Sequence, residues 1–370
     1  MKFVYPVEGS ALTDASGKLL PDGRLMTEVA VEAAAPVTVC GVEAVKNADG
    51  LWTAEVALAE GRTRITAVSG DETQEITVFR APEATGKYAL SVDDNIWWLA
   101  ELTTGNYASL FDHPYLAVYK RAHEQYGAKV RLNIFYEIAP VTQLKNGQAS
   151  DKYGDFNLSR MTDRYKAEFG QNADWLHLAF HARRELPPEP YRYATYEQVK
   201  EDCEAVEREI LRFAGEKTLE KYATTVHYGV CSPDGVRALK DLGYRALMGY
   251  MSLTETGDPF VSYNLTGDEV AGMQRYAFWK CPSDGMIYGK IPVVLNLYSP
   301  ERIRELLDEE YRLWPERGFV EIMIHEQYFY EDYISYEPDF EERVMAGCAW
   351  CHEKGLKGAF TQDVLPDIAE

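Results

Sequence analysis

The chain has 370 residues, more than one hydrophobic core usually serves, and 46% of them are hydrophobic. The formal net charge is −21, which argues against a nucleic-acid partner because the long-range field repels phosphate, whereas a neutral substrate or a locally bound cation suits it. No apolar segment is long enough to span a membrane. The absence of an export signal after Met1 and the six scattered cysteines predict a cytoplasmic protein.

Residues 1–82 are predicted to form a small β-sandwich domain of immunoglobulin-like type. Short runs of alternating apolar and polar residues recur there, separated by turn-forming segments such as Asn47-Ala48-Asp49-Gly50. The predicted strands are 26–32, 37–42, 51–58, 63–68 and 73–79. No cluster of His, Cys or acidic residues resembles a site, so we expect this domain to serve packing, spacing or partner contact. Residues 81–86 are predicted to be a linker.

From residue 87 onwards, strands alternate with helices. The predicted strands begin near Tyr88 and continue with 130–136, 175–181, 223–228, 244–250, 291–297, 319–324 and 358–361. The predicted helices start at 112–114, 195, 232, 299 and 339. Residues 252–285 show no readable pattern. Repetition of about seven or eight such units predicts an α/β fold, an irregular (β/α) barrel of about seven strands over residues 87–370.

Polar residues follow several of these strands, and in such barrels the chemistry lies at the carboxyl ends of the strands. The strand-end residues are Asp93, Asp94, His181, His227, His325 and Glu326. Imidazole and carboxylate groups are ligands of divalent metal ions, and a free carboxylate can take a proton from an attacking water. The alternative is a set of unrelated groups, in which Asp93 to Asn95 cap a helix and the histidines belong to the core.

The segment Leu90-Ser91-Val92-Asp93-Asp94 resembles the T-F-D-D motif of polysaccharide deacetylases, the NodB-like carbohydrate esterases. Three further landmarks follow in the family's order. Residues 181–185 stand in place of H-[ST]-x-x-H, residues 225–229 in place of R-x-P-Y-G, and residues 324–326 in place of the late L-x-H segment. The landmarks cover about residues 87–365, and the resemblance implies a divergent bacterial branch of this deacetylase-like superfamily.

The resemblance also implies roles for the matched residues. Asp93 would be the general base and His325 the general acid that protonates the departing amine. Asp94, His181 and Glu185 would bind a divalent metal ion, and zinc is the metal that the resemblance favours. The residues assigned to substrate binding are His227, Tyr228, Glu326 and Tyr328.

Five aromatic residues lie between positions 328 and 336, with Glu331 and Asp332 among them, a composition that suits a carbohydrate subsite. A loop that buries its aromatic rings against the barrel rim explains the same composition. Both interpretations stay open at this point.

The sequence differs from the family pattern in two places. Glu185 replaces the second histidine of its motif, and the arginine and proline of the third motif are absent. The first hypothesis is a metal-dependent hydrolase acting on an N-acyl or O-acyl carbohydrate. The second is a catalytically inactive carbohydrate-binding protein on the same scaffold. The third is metal-free acid/base hydrolysis by Asp93, Asp94 and Glu326.

Cys348-Ala349-Trp350-Cys351-His352 matches the C-x-x-C-H form of covalent haem attachment. We reject a haem site because the segment continues a helical pattern and because this attachment requires an exported chain. A redox cysteine pair is the weaker alternative.

Overall fold

The computed structural model describes residues 1–365, and its first 80 residues form two five-stranded sheets around a buried core. One sheet has the order β1-β4-β8-β7 with β3 on β4, and the other has the order β2-β10-β9-β5-β6. The strands are β1 Lys2–Tyr5, β2 Ala11–Leu12, β3 Lys18–Leu19, β4 Leu25–Glu32, β5 Thr38–Val39, β6 Val42–Glu43, β7 Val45–Lys46, β8 Trp52–Leu58, β9 Arg62–Ser69 and β10 Glu72–Arg80.

Four of the five strands predicted in this region are present within one residue of their expected ends, because alternation of apolar and polar residues is a local signal. The predicted strand 37–42 is instead split into β5 and β6. Cys40 and Gly41 both have positive φ, which reverses the chain between them. The immunoglobulin-like topology and the domain boundaries at residues 82 and 87 stay predictions.

The second part of the chain is a mixed α/β fold. A six-stranded sheet has the order β15-β12-β11-β23-β22 with β24 on β11, and a four-stranded sheet has the order β16-β17-β21-β20. The strands are β11 Lys87–Asn95, β12 Val130–Phe135, β13 Gln143–Leu144, β14 Gly147–Gln148, β15 Leu176–Ala182, β16 Ala223–Thr224, β17 Ala246–Gly249, β18 Ser252–Leu253, β19 Pro259–Phe260, β20 Phe278–Lys280, β21 Ile287–Lys290, β22 Val293–Val294, β23 Phe319–His325 and β24 Lys357–Gly358.

The pairings within these two sheets are parallel, with the exception of β20 on β21. No strand ladder joins the two sheets within residues 1–365, so the described strands do not form a closed barrel. Parallel strands place their carboxyl ends on the same edge of a sheet. The strand ends that carry the candidate residues therefore lie on a common side of each sheet.

Helices connect the strands: α1 Trp97–Thr104, α2 Pro114–Tyr126, α3 Ala149–Tyr153, α4 Lys166–Gln171, α5 Tyr196–Phe213, α6 Pro233–Asp241, α7 Gly267–Met273, α8 Pro300–Leu313, α9 Phe340–Glu353 and α10 Thr361–Val364. The predicted helix starts are explained by their caps, since Thr195, Ser232 and Ser299 each accept a hydrogen bond from the backbone three residues later. None of the described helices has both the length and the apolar character that crossing a bilayer requires.

The N-terminal part of the chain contacts the α/β part through β20, which belongs to the unreadable segment 252–285, and through Glu316. The Trp279 indole donates a hydrogen bond to the Glu8 carbonyl at 2.6 Å. The hydroxyls of Thr13 and Ser16 both donate to the Glu316 carbonyl. Three side-chain to backbone hydrogen bonds therefore connect the two parts of the chain.

Candidate metal centre and cleft

A cleft of about 320 Å³ lies at the carboxyl ends of the parallel strands. Its polar lining comes from residues at or just beyond the ends of β11, β15, β16, β22 and β23. These residues are Asp93, Asp94, His181, Glu185, Thr225, His227, Asn296 and His325. The structure thus brings five of the six strand-end candidates to one cleft, and Glu326 lies elsewhere.

Asp93 and Asp94 both line the cleft although neighbouring strand residues normally point to opposite faces. Asp94 has a left-handed backbone with φ of 66°, and the register with β12 shifts between Val92 and Asn95. Such a bulge inserts an extra residue and re-aims a side chain. The two carboxylates therefore face the same space.

Three buried side chains that line the cleft lie close together and are called the triad below: Asp94, His181 and His227. The Nε2 atom of His181 lies 3.0 Å from Oδ1 of Asp94 and 3.1 Å from Nδ1 of His227. The Nδ1 atom of His227 lies 3.1 Å from the same Oδ1. The three atoms form a nearly equilateral triangle.

The hydrogen bonds of the outer nitrogens of the two rings determine whether the inner nitrogens carry protons. Nδ1 of His181 faces the Thr225 carbonyl, and Nε2 of His227 faces the Glu185 carbonyl at 2.9 Å. A carbonyl oxygen only accepts, so each of these ring nitrogens carries the proton and donates. When both rings are neutral, their inner nitrogens therefore carry lone pairs, and these lone pairs point at each other and at a carboxylate oxygen.

A single proton can form a hydrogen bond between two of these three inner atoms. The third atom then directs its lone pair at the other two without a donor between them, which is repulsive. A cation placed among them satisfies all three at once. Imidazole nitrogen and carboxylate oxygen are the ligands that zinc and related divalent ions prefer, and the outer carbonyls are the partners that orient metal-binding histidines. The chemistry of the triad fits a divalent metal site.

The charges in the triad are strongly coupled. Burial raises the pKa of Asp94, but when a proton occupies an inner ring nitrogen the charge of His227 and hydrogen bonds from His181 and His227 outweigh burial, and they hold this pKa well below its usual range. Burial lowers the pKa of His181, while the carboxylates of Asp93 and Asp94 raise it more, with a net upward shift. Asp94 is consequently an ionised carboxylate at neutral pH.

Asp93 and His325 flank the triad on neighbouring strands, where they are paired in register. Nδ2 of Asn133 donates to Oδ1 of Asp93 at 2.6 Å, while Oδ2 of Asp93 has no hydrogen-bond partner in the described part of the chain. The amide of Asn133 is oriented by Arg131, whose Nε donates to its Oδ1 at 3.2 Å. Arg131 is itself paired with the buried Glu321 at 2.7 Å. This buried polar chain was not predicted from the sequence.

His325 is held by Asn296, a second residue that sequence analysis missed. Nδ1 of His325 lies 2.8 Å from Oδ1 of Asn296, which also accepts from the His325 backbone at 3.2 Å. An amide oxygen accepts, so Nδ1 carries the proton and Nε2 is the nitrogen left for the cleft. Asn296 lies in the apolar run 291–297. The one signal in the sequence for a functional role is that Asn296 is the polar residue of this run.

Glu185, predicted as a metal ligand, lines the cleft outside the triad. Its Oε2 accepts a hydrogen bond of 2.5 Å from the hydroxyl of Thr142. Burial, together with the negative charge of Asp94, raises the pKa of Glu185 to about 7. In the described structure the third member of the triad is His227, which the sequence analysis had assigned to substrate binding.

The structure corrects the prediction that Glu326 binds substrate or acts as an acid. Its side chain is fully buried, and its oxygens accept hydrogen bonds from the backbone of Ile96, Trp97 and Trp98 and from the Tyr330 hydroxyl. Glu326 therefore caps helix α1 from a distant strand, and its location argues against the metal-free hypothesis. The alternative in which Asp93 to Asn95 cap a helix is not supported, because the N-cap residue of α1 is Ile96 and its side chain makes no capping hydrogen bond.

The aromatic segment after His325 is divided between the two interpretations. Tyr328 and Tyr333 line the cleft, and their rings contact each other edge to face at 5.5 Å. Phe329 and Tyr330 instead pack against Tyr115 in the core. Tyr228 also lines the cleft, with a side chain 44% exposed.

Cys348 and Cys351 are buried, unpaired thiols on α9. Burial raises the pKa of Cys348 to about 12, which opposes formation of the reactive thiolate. This environment gives no support to a redox pair.

No protein-family model and no curated protein matches the sequence. Solved structures to which the chain is similar include family 4 carbohydrate esterase domains. A family 4 acetyl xylan esterase from Clostridium thermocellum, in complex with a cobalt ion, shares 11% identity over 75% of this chain and 90% of the other, with a TM-score of 0.40. A family 4 pseudoenzyme from Bacillus anthracis shares 8% identity over 87% and 88%, with a TM-score of 0.38.

A 4-alpha-glucanotransferase from Thermococcus litoralis shares 10% identity with a TM-score of 0.47. The similarity covers 76% of this chain and 40% of the glucanotransferase. All three similarities have low identity and a TM-score below 0.5, so none of them assigns a role to a residue of this chain.

Proposed function

We propose that this protein is a metal-dependent hydrolase that removes an acyl group from a carbohydrate. The observation that carries the proposal is the triangle of lone pairs formed by Asp94, His181 and His227. These atoms lie 3.0 to 3.1 Å apart, with their protons directed outward to backbone carbonyls. Such an arrangement suits a cation within a substrate-sized cleft.

The three triad residues would hold the ion, and zinc is the metal we propose for this nitrogen and oxygen ligand set. When bound, a divalent ion polarises an acyl carbonyl and increases the acidity of water. Asp93 would accept a proton from water through its Oδ2, which has no hydrogen-bond partner in the described part of the chain. His325 directs Nε2 towards the cleft and, in its protonated form, donates a proton to the leaving amine or hydroxyl.

The carbohydrate part of the proposal rests on the walls of the cleft. Tyr228, Tyr328 and Tyr333 offer aromatic faces that stack on sugar rings, and their hydroxyls bind polar substituents. The apolar part of the lining includes Ile291 and Val294 and suits a small acyl group. A cleft of about 320 Å³ accommodates a short oligosaccharide segment.

The experiment combines metal analysis with product release. Protein stripped with a chelator is reloaded with zinc, cobalt or magnesium, and acetate release is measured from N-acetylated and O-acetylated oligosaccharides. We expect turnover with zinc or cobalt, loss of metal in Asp94→Ala, and retained metal with at least hundredfold lower kcat in Asp93→Asn. Absence of bound metal under every loading condition, with activity unchanged in Asp94→Ala, contradicts the proposal.

A second candidate function is carbohydrate binding without catalysis. It is favoured by the surroundings of Asp93, whose carboxylate is held by the neutral amide of Asn133 while Arg131 pairs with Glu321 instead. Glycan binding that persists in Asp93→Asn, together with no turnover in the wild type under any metal loading, supports this function. Rapid deacylation by the wild type excludes it.

A further inference from the structure

Glu185 is a carboxyl group in the cleft without a cationic partner. Its Oε2 accepts from Thr142, and its Oε1 has no hydrogen-bond partner among residues 1–365. The two arginines that precede it in the chain are directed elsewhere: Arg183 pairs with Glu137 and Asp202, and Arg184 pairs with Glu137. Glu185 therefore presents an uncompensated acid to whatever occupies the cleft.

Three tyrosines surround the same space. Tyr228, Tyr328 and Tyr333 line the cleft together with Glu185. Burial and the charges of Asp94 and Glu185 raise the pKa of all three phenols, so the rings are neutral at physiological pH. Neutral aromatic faces beside a carboxylate are the usual surroundings of a bound ammonium group.

The remaining lining residues leave the cleft acidic. Within the described chain, the cleft is lined by three carboxyl groups and three histidines, and by no lysine or arginine. A divalent ion at the triad compensates two of the three acids when they are ionised, and one negative charge is left over as long as the ring of His325 is neutral. A phosphate, sulfate or carboxylate on the substrate is repelled by this charge, and an ammonium group is attracted.

We infer that Glu185, with Tyr228, Tyr328 and Tyr333, forms a subsite for an ammonium group beside the metal triad. This inference rests on the proposed function and narrows its substrate. The substrate class is an N-acylated or O-acylated amino sugar that carries a free amine on the same or an adjacent ring. Glu185 is then a specificity residue that binds the substrate amine and takes no part in holding the metal.

The test uses metal-loaded protein and two disaccharides of glucosamine, one with both amines acetylated and one with a single acetyl group and one free amine. Binding is measured by calorimetry, and acetate release is measured in parallel. A charge-assisted hydrogen bond is worth about tenfold or more in affinity. We expect the free-amine disaccharide to bind at least about tenfold more tightly than the diacetylated one.

Glu185→Gln should remove this preference and change the affinity for the diacetylated disaccharide by less than about twofold. The matched control is Glu204→Gln, which deletes one negative charge on an exposed surface and should keep the preference. If Glu185→Gln does not fold, salt dependence of the wild type replaces it. Raising the salt concentration should weaken binding of the free-amine disaccharide and leave the diacetylated one unaffected.

Equal affinity for the two disaccharides in the wild type, or a preference that survives in Glu185→Gln, overturns the inference. Acetate release with no preference for the free amine leaves the hydrolase proposal intact and removes only the subsite. A preference in binding without acetate release from either disaccharide has the opposite meaning, because the subsite is then present and the hydrolase proposal fails.

Discussion

The ligand set of the proposed metal centre gives the sharpest prediction, since His227 and Glu185 are alternative candidates for its third ligand. Loss of a residue that merely orients a metal ligand costs about 10- to 100-fold in affinity, so loss of a ligand should cost at least about 100-fold. We therefore expect His227→Ala to weaken zinc binding by at least about 100-fold. Glu185→Ala should leave it nearly unchanged, because His227 donates to the backbone carbonyl of residue 185, which that substitution retains.

Thermal unfolding turns this difference into a measurable shift. Free metal at 100 times the wild-type Kd stabilises the folded state by about 2.7 kcal/mol, and by only about 0.4 kcal/mol after a 100-fold loss of affinity. At about 2.1 cal/mol/K per residue, the unfolding entropy of 370 residues is about 0.8 kcal/mol/K. The metal should therefore raise Tm by about 3 to 4 °C in the wild type and in Glu185→Ala, and by about 0.5 °C in His227→Ala.

The assay is a fluorescence melt of chelator-treated protein with and without zinc, with calorimetric titration as a second readout. A full metal-induced shift in His227→Ala, combined with its loss in Glu185→Ala, refutes the assignment of the triad. That result would restore the ligand set expected from the family resemblance.

Three further predictions concern groups around the cleft. Asn296→Ala removes the acceptor that fixes the ring of His325, so kcat should fall by about 100-fold with metal content unchanged, and a parallel loss of metal contradicts this positioning role. Glu321→Ala leaves Arg131 charged and unpaired in the interior, and urea denaturation should show a loss of about 3 to 5 kcal/mol. A loss below about 1 kcal/mol, the size expected of an exposed pair, speaks against this view. Burial lowers the pKa of Lys290 to about 8, so between that pH and its unfolded value the unfolded chain binds more protons than the folded chain. Wild-type stability should therefore rise relative to Lys290→Met between about pH 8 and 10, and parallel pH profiles contradict the shift.

The parts of the fold that could be predicted from the sequence are those with local causes. The alternation in 51–58 and 63–68 specifies strands whatever surrounds them, and the Ser-Pro pair at 299–300 specifies a helix start. Asp93, Asp94, His181 and His325 were identified because a polar residue at the end of an apolar run is visible without a structure. Their shared cleft followed from the rule that parallel strands end on one side.

The parts that could not be predicted depend on partners distant in the chain. Glu326 is adjacent to His325 and equally polar, yet it accepts the backbone N–H groups of a helix 230 residues away. His227 was predicted at a strand end, but its role in the triad depends on its contacts with His181 and Asp94, which lie 46 and 133 residues earlier in the chain. No spacing in the sequence encodes either contact. Segment 252–285 was unreadable because its strands have only two or three residues.

The left-handed backbone of Asp94 has a consequence for how this centre can change over evolutionary time. That conformation is open to Gly, Asn and Asp and is strained for β-branched residues, so the position is restricted by shape as well as by chemistry. A change from Asp to Asn keeps the backbone conformation that brings both side chains into the cleft and removes a charged metal ligand. Descendants of this chain can thus lose the proposed metal binding in a single step while retaining the fold. An Asp or Asn at position 94 is consequently explained by the left-handed backbone alone. Its presence in a related chain does not by itself indicate a working catalyst.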